Sequence, residues 1–149
     1  KEKQNPDDNL RLYAVEGLAR LGDSGMATDI SRAWLHEPNP RIKAAQAYAL
    51  FRMGRREFLD EVVNCLGNGK TNVEARKLLL ELKKDDLPEL YSQIKSNDVD
   101  VREGLAESLG VMGDERAILI VQNLAQDRRG QIAALANQAN RRLNARIVR

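Results

Sequence analysis

Apolar residues return along this chain at the spacing of one helix face, and turn residues interrupt them at regular intervals. The clearest stretch spans residues 101–124. Val101, Leu105, Leu109 and Met112 form one stripe, Gly113-Asp114 supplies a turn, and Ala117, Ile120, Val121 and Leu124 form a second. Neither stripe can be buried by its own helix, so the pair requires neighbours. Leu10, Ala14, Leu18 and Leu21 open an earlier unit, closed by Gly22-Asp23 and followed by Ala27, Ile30 and Trp34, with Ser31 at a position apolar elsewhere. Asn39-Pro40 has the chemistry of a helix start. Behind it come Ile42, Ala45, Ala49, Leu50 and Met53, then Leu59, Val62, Val63 and Leu66, ended by Gly67-Asn68-Gly69. A third unit carries Ala75, Leu78, Leu79 and Leu82, then Leu87, Leu90, Tyr91 and Ile94, with Lys83-Lys84-Asp85-Asp86 in place of the Gly-Asp turn. A last first-helix runs from about Arg129 with Ile132, Leu135, Ala136, Ala139 and Leu143. Asn137 and Asn140 wet that helix, as a terminal cap of a repeat array requires.

Two registers agree. The last apolar residues of the first helices (Leu21, Met53, Leu82, Met112, Leu143) lie 32, 29, 30 and 31 apart. The second helices keep offsets 0, 3, 4 and 7 and recur at intervals of 32, 28 and 30. The expected fold is therefore all-α, a right-handed α-solenoid of antiparallel helix pairs with a period of about 31. Its single domain spans 9–149, with units at 9–38, 39–70, 71–97 and 98–127 and a half unit at 128–149, behind a polar leading segment 1–8. Asp8 or Asn9 is expected to cap the first helix, and Asn97, Asp98 or Asp100 the seventh. Gly17 and Gly104 lie inside helices, where each costs about 1 kcal/mol relative to Ala. Close packing between units is the expected compensation.

The residues of the fourth unit resemble a known repeat: Val101-Arg102, the small Gly104, Ala106 and Ser108, and Leu109-Gly110-x-Met112-Gly113-Asp114. The first unit matches through Leu10-Arg11, Gly17-Leu18-Ala19 and Leu21-Gly22-Asp23, and the second through Ile42-Lys43, Ala47, Ala49-Leu50 and Met53-Gly54. This pattern is similar to the short HEAT-like repeat of phycobilin lyases and many bacterial proteins, and it covers about residues 8–143. The second unit departs at Arg55 and the third lacks the Gly-Asp turn. The Trp-Leu-Gly start of tetratricopeptide repeats and the ankyrin signature are absent.

The chain has 149 residues, 42% of them hydrophobic and 4% aromatic, and no run of 18 apolar residues. No signal-peptide core lies at residues 1–10, which decides little about compartment in a chain that starts at Lys1. A soluble protein is expected, with the cytoplasm only slightly favoured and the compartment otherwise open. Charge is uneven. Residues 128–149 hold Arg128, Arg129, Arg141, Arg142, Arg146 and Arg149 and no acid, whereas the first 127 residues hold 18 basic against 22 acidic side chains. Lone Cys65 excludes an internal disulfide and a cysteine-rich zinc site. Gly67-Asn68-Gly69-Lys70-Thr71 ends like a phosphate loop, but Asn64 stands where the motif needs Gly and a helix precedes it. His36-Glu37 echoes the His-Glu pairs of deoxyhypusine hydroxylase, a HEAT-like di-iron enzyme, yet one histidine cannot build that site. His36 and Cys65 fall in successive units without an activating neighbour in sequence. No pair of carboxylates stands out. No catalytic residue, metal or cofactor is expected, and the chain reads as a non-enzyme.

The resemblance implies that second helices line a concave face. Positions between their core offsets would then form a binding row: Asp29, Arg32 and His36; Glu61 and Asn64; Glu89 and Gln93; Leu119, Gln122 and Asn123. This row is polar, has an acidic column, and lacks the cationic stripe that phosphate contacts need. A protein or peptide partner is the expectation. The rivals are a lyase-like or glycosylase-like catalytic solenoid and a nucleic-acid binder using the basic patch Arg141, Arg142, Arg146 and Arg149.

Overall fold

A computed structural model of the chain describes residues 6–147. They are all-α: nine α-helices and four short 3-10 turns, with no strand among the described residues. The helices are α1 (Pro6–Leu21), α2 (Ala27–His36), α3 (Pro40–Arg52), α4 (Phe58–Asn64), α5 (Asn72–Leu79), α6 (Leu87–Ser92), α7 (Val99–Met112), α8 (Ala117–Leu124) and α9 (Gly130–Ile147). α1 packs on α3, α3 on α4, and α9 on both α7 and α8.

The boundaries follow local chemistry. Asn39 caps α3, its side-chain oxygen accepting the Arg41 amide at 3.0 Å and the Ile42 amide at 3.4 Å, with Pro40 in the first turn. Of the three candidates before α7, Asp98 is the cap, accepting from the amides of Asp100 and Val101. α1 starts at Pro6, earlier than the expected Asp8 or Asn9, so part of the leading segment is helical; residues 1–5 lie outside the described ones. The glycines that end helices act in two ways. Gly22 (φ 63°) and Gly54 (φ 101°) take left-handed conformations that side chains resist. Gly113 has an ordinary φ of −65°, but a Cβ there would lie 2.6 Å from the Leu109 carbonyl oxygen and 2.7 Å from the Ala117 Cβ. The following Asp114 accepts from the Arg116 amide at 3.0 Å and the Tyr91 hydroxyl at 2.9 Å, tying this turn to α6. Burial pushes the Tyr91 phenol up to about 12.

One continuous core runs from Ala19 to Leu143. Ile42, Ala45, Ala49, Leu50, Leu59, Val62, Val63, Leu79, Leu90, Leu105, Leu109, Val121, Ile132 and Leu143 are all buried, as their stripes predict. α3 is enclosed nearly all round, from Ala44 to Phe51. Its alanines leave room for side chains of α1 and the α5 region to meet across it: Lys77 pairs with Glu16 at 2.9 Å and Arg20 with Glu81 at 3.0 Å. The third unit, without a glycine turn, is held by Asp86. This buried carboxylate accepts from Arg52 at 3.0 Å, Arg56 at 2.9 Å and the Lys83 amide at 3.0 Å.

α1 departs from expectation. Of its expected stripe only Leu18 is covered, half-buried against the core: Leu10 is 68% and Leu21 77% exposed, and Ala14 is exposed as well. The buried face is Leu12, Glu16 and Ala19, with half-buried Val15, because α1 meets the rest of the chain through Ile42 and Ala45 of α3. The glycine expectation also divides. A Cβ on Gly104 would lie 3.1 Å from Leu66, so close packing accounts for that glycine. Around Gly17 no atom of a neighbouring element among the described residues lies within 4 Å, so close packing does not account for that glycine there.

Candidate functional site

The expected binding row lies on α2, α4, α6 with its following turn, and α8. Asp29, Arg32, His36, Glu61, Asn64, Gln122 and Asn123 are exposed, and Leu119 is 71% exposed. The core offsets bury one side of each of these helices, and the residues between them reach solvent. Two members are engaged within the chain. Glu89 is half-buried and accepts from Arg56 at 2.9 Å, beside Asp86. Gln93, in the 3-10 turn after α6, donates to Asp60.

Between α2, α3 and α4 the row opens into a cleft of about 220 Å³. Trp34 forms one wall, Ala44 and Ala47 line it from α3, and Glu61, Asn64 and Cys65 come from α4 and its end. Trp34 stands edge-on to Phe58 at 5.2 Å, and the Lys43 ammonium lies 4.7 Å from the centre of its ring. This half-buried aromatic, read from sequence as the last core position of its helix, is both core and cleft wall. Burial pushes the Cys65 thiol up, which leaves it protonated and poorly nucleophilic at neutral pH. His36 does not line this cleft, so the structure assembles no Cys-His pair there. The Gly67–Thr71 segment is a helix-end loop: Asn68 accepts the Lys70 amide at 2.8 Å, and Thr71 donates its hydroxyl to the Cys65 carbonyl at 2.8 Å.

The basic patch is divided. Arg141 and Arg142 are exposed on α9. Arg146 donates to the backbone carbonyls of Val111 and Gly113, where it serves the C-terminal end of α7. Arg149 lies outside the described residues. Arg142 borders a second cleft, of about 310 Å³, with Arg76, Leu80, Glu107, Val111 and Gln138, in which Glu107 pairs with Arg76.

Tertiary structure also creates a carboxyl pair that spacing along the chain did not single out. Glu16 of α1 and Glu74 of α5 are both buried and lie beside Lys77 and Arg41. Burial, with a hydrogen bond to Glu16, pushes Glu74 up to about 7. Burial pushes Glu16 the other way from its net shift, but hydrogen bonds from Lys77 and Glu74 and the charges of Lys77 and Arg20 outweigh it and hold Glu16 low. The only hint in the sequence is that Glu16 falls on the α1 face that also carries Leu12 and Ala19. Neither carboxyl lines either of these two clefts. Among the described residues no cluster of histidine, cysteine or acidic side chains could hold a metal ion, and no helix is long and apolar enough to cross a membrane.

Comparison of the chain with protein-family models, with curated proteins and with solved structures found no match.

Proposed function

We propose that this chain is a HEAT-like, right-handed α-solenoid of antiparallel helix pairs acting as a non-enzymatic scaffold. Its second-helix face binds a protein or peptide. The observation that carries this reading is the cleft between α2 and α4, where an aromatic wall (Trp34) meets an exposed acid (Glu61) and an exposed amide (Asn64). An apolar pocket rimmed by a few polar groups takes one anchoring side chain, while the polar row on either side selects register and charge. Asp29 and Glu61 favour a partner with basic residues flanking an apolar anchor. The repeat periodicity supports the scaffold reading, because stacked units present such faces as extended surfaces.

The test is selection of peptides from a random display library on the intact chain, followed by titration of the selected peptides against Trp34→Ala and Asp29→Lys/Glu61→Lys. Selected peptides should carry Lys or Arg beside a large apolar residue and should lose at least tenfold in affinity to each variant. Equal binding to both variants would sink the groove assignment. Glu89 is left out of the charge reversal because it supports Arg56. The nucleic-acid alternative rests on Arg141 and Arg142, in a helix free of acids. No binding of labelled DNA or RNA in low salt would reject it.

A further inference from the structure

The cleft of about 310 Å³ shares no lining residue with the one that Trp34 walls. Three helices each contribute a pair of side chains four residues apart. Arg76 and Leu80 come from α5 and its end, Glu107 and Val111 from α7, and Gln138 and Arg142 from α9. Residues four apart share a helix face, and each pair stands 31 residues from the next along the chain. The lining therefore has one polar row, Arg76, Glu107 and Gln138, and one apolar row, Leu80 and Val111, that ends in a cation. Leu80 is 50% and Val111 49% exposed, so the apolar row is open to a ligand. The polar groups are not used up within the chain. Arg76 donates to Glu107 through Nη1, but its Nε is buried without an acceptor. Gln138 and Arg142 make no side-chain hydrogen bond or ion pair with the other described residues. Arg142 is nonetheless placed: its Cδ lies 3.7 Å from where a Cβ on Gly110 would stand, which sets its stem against α7.

We propose that this cleft takes the C-terminal residue of a peptide, with its free carboxylate on Arg142 and an aliphatic side chain on Leu80 and Val111. The site is separate from the second-helix face and does not depend on the scaffold reading. Charge selects the carboxylate. Glu107 neutralises Arg76, which leaves one positive charge in the lining, on Arg142. The complement of that charge is a monoanion, and a guanidinium fork matches the two oxygens of a carboxylate. A phosphate monoester carries about −1.5 to −2 and would bring its excess charge beside Glu107. Nucleic acid is disfavoured because no aromatic ring lines the cleft to stack a base. Size selects a single residue: about 310 Å³ stands at the small end of ligand sites. The remaining polar groups select a peptide over a free alkyl acid. Glu107 is an acceptor, and Gln138 is both donor and acceptor. A bare alkyl carboxylate has no use for these groups, whereas a chain terminus presents an amide N–H and a carbonyl beside its carboxylate.

The probe is the peptide acetyl-Gly-Gly-Leu with a free carboxylate, titrated into the isotope-labelled intact chain and followed by NMR shifts of backbone amides and arginine side chains. The signals of Val111, Gln138 and the Arg142 Nε should move together, with a Kd of about 0.1–1 mM for a ligand of this size. The C-terminal amide of the same peptide should bind at least tenfold more weakly, and so should the free acid to Arg142→Gln. Arg142 is exposed, so this variant should keep the wild-type helical spectrum. Isocaproate, which keeps the carboxylate and the aliphatic chain without the peptide groups, should bind at least fivefold more weakly than the peptide. Trp34→Ala should leave the peptide's affinity unchanged, because Trp34 walls the other cleft. Equal binding of acid and amide, or wild-type affinity in Arg142→Gln, would overturn the carboxylate assignment. Isocaproate binding as well as the peptide would overturn the peptide occupant. No shift up to about 10 mM peptide, or tighter binding of inorganic phosphate or an oligonucleotide at the same signals, would overturn the site as a whole.

Discussion

Gly110→Ala puts the packing of α7 on α9 to a quantitative test. A Cβ built on Gly110 lies 2.9 Å from both Cα and Cβ of Ala139. Ordinary carbon contacts are about 3.5–4.0 Å, and the obstructing atoms are backbone and its first side-chain carbon, so no rotamer change relieves the overlap. α9 must shift away from α7, or α7 must bend. Overpacking of this kind costs about 1–3 kcal/mol, and removing a glycine from a helix interior returns about 1 kcal/mol. With no flexible atom able to yield, the cost lies at the upper end and the net loss is about 1–2 kcal/mol. For a chain of this size the melting temperature should fall by about 3–6 °C. The measurement is thermal and urea unfolding followed by helical circular dichroism, with Gly17→Ala as the internal control. That control adds the same methyl to open space and should stabilise the chain by about 0.5–1 kcal/mol. Gly110→Ala melting at or above wild type would refute the close contact. Equal effects of the two substitutions would show that propensity alone governs these glycines.

Other outcomes follow from the buried charges. Asp86→Ala removes the carboxylate that Arg52, Arg56 and the Lys83 amide share, and should cost about 2–3 kcal/mol in urea unfolding, less than a fully buried pair because Arg56 is partly exposed. A loss under 0.5 kcal/mol would show that the third unit does not depend on this hub. Glu74 is pushed up to about 7, so its neutral form is favoured by folding; that stability is complete below the usual carboxylate range and is lost as pH rises through about 7. Wild type should therefore lose stability between pH 5 and pH 8. Glu74→Gln should lose less over the same range, by on the order of 1 kcal/mol. Parallel profiles for the two proteins would refute the assignment.

The helical spacing of apolar residues alone determined the helices and most of the core, because a 3.6-residue period and its turn residues are local properties. Leu59, Val62, Val63 and Leu66 needed only their own spacing to be placed inside, and Asn39-Pro40 only its own chemistry to start α3. The exposure of Asp29, Arg32, His36, Glu61, Asn64, Leu119, Gln122 and Asn123 was legible for the same reason, since what is not core on an amphipathic helix faces solvent; that Glu89 and Gln93 of the same row are half-buried and held by Arg56 and Asp60 was not. Tertiary structure decided what depends on neighbours. α1 carries apolar residues on two faces, and only its packing on α3 shows that Leu12 and Ala19, with Glu16 between them, are covered while Leu10 and Leu21 are not. Glu16 and Glu74, far apart in the chain, became one titrating pair because α1 and α5 reach across the alanine-rich α3. Arg146 looked like one cation among six until the C-terminal carbonyls of α7 claimed it. Periodicity specifies which side of a helix can be buried; which side is buried, and which charges meet, is set by the element that arrives there.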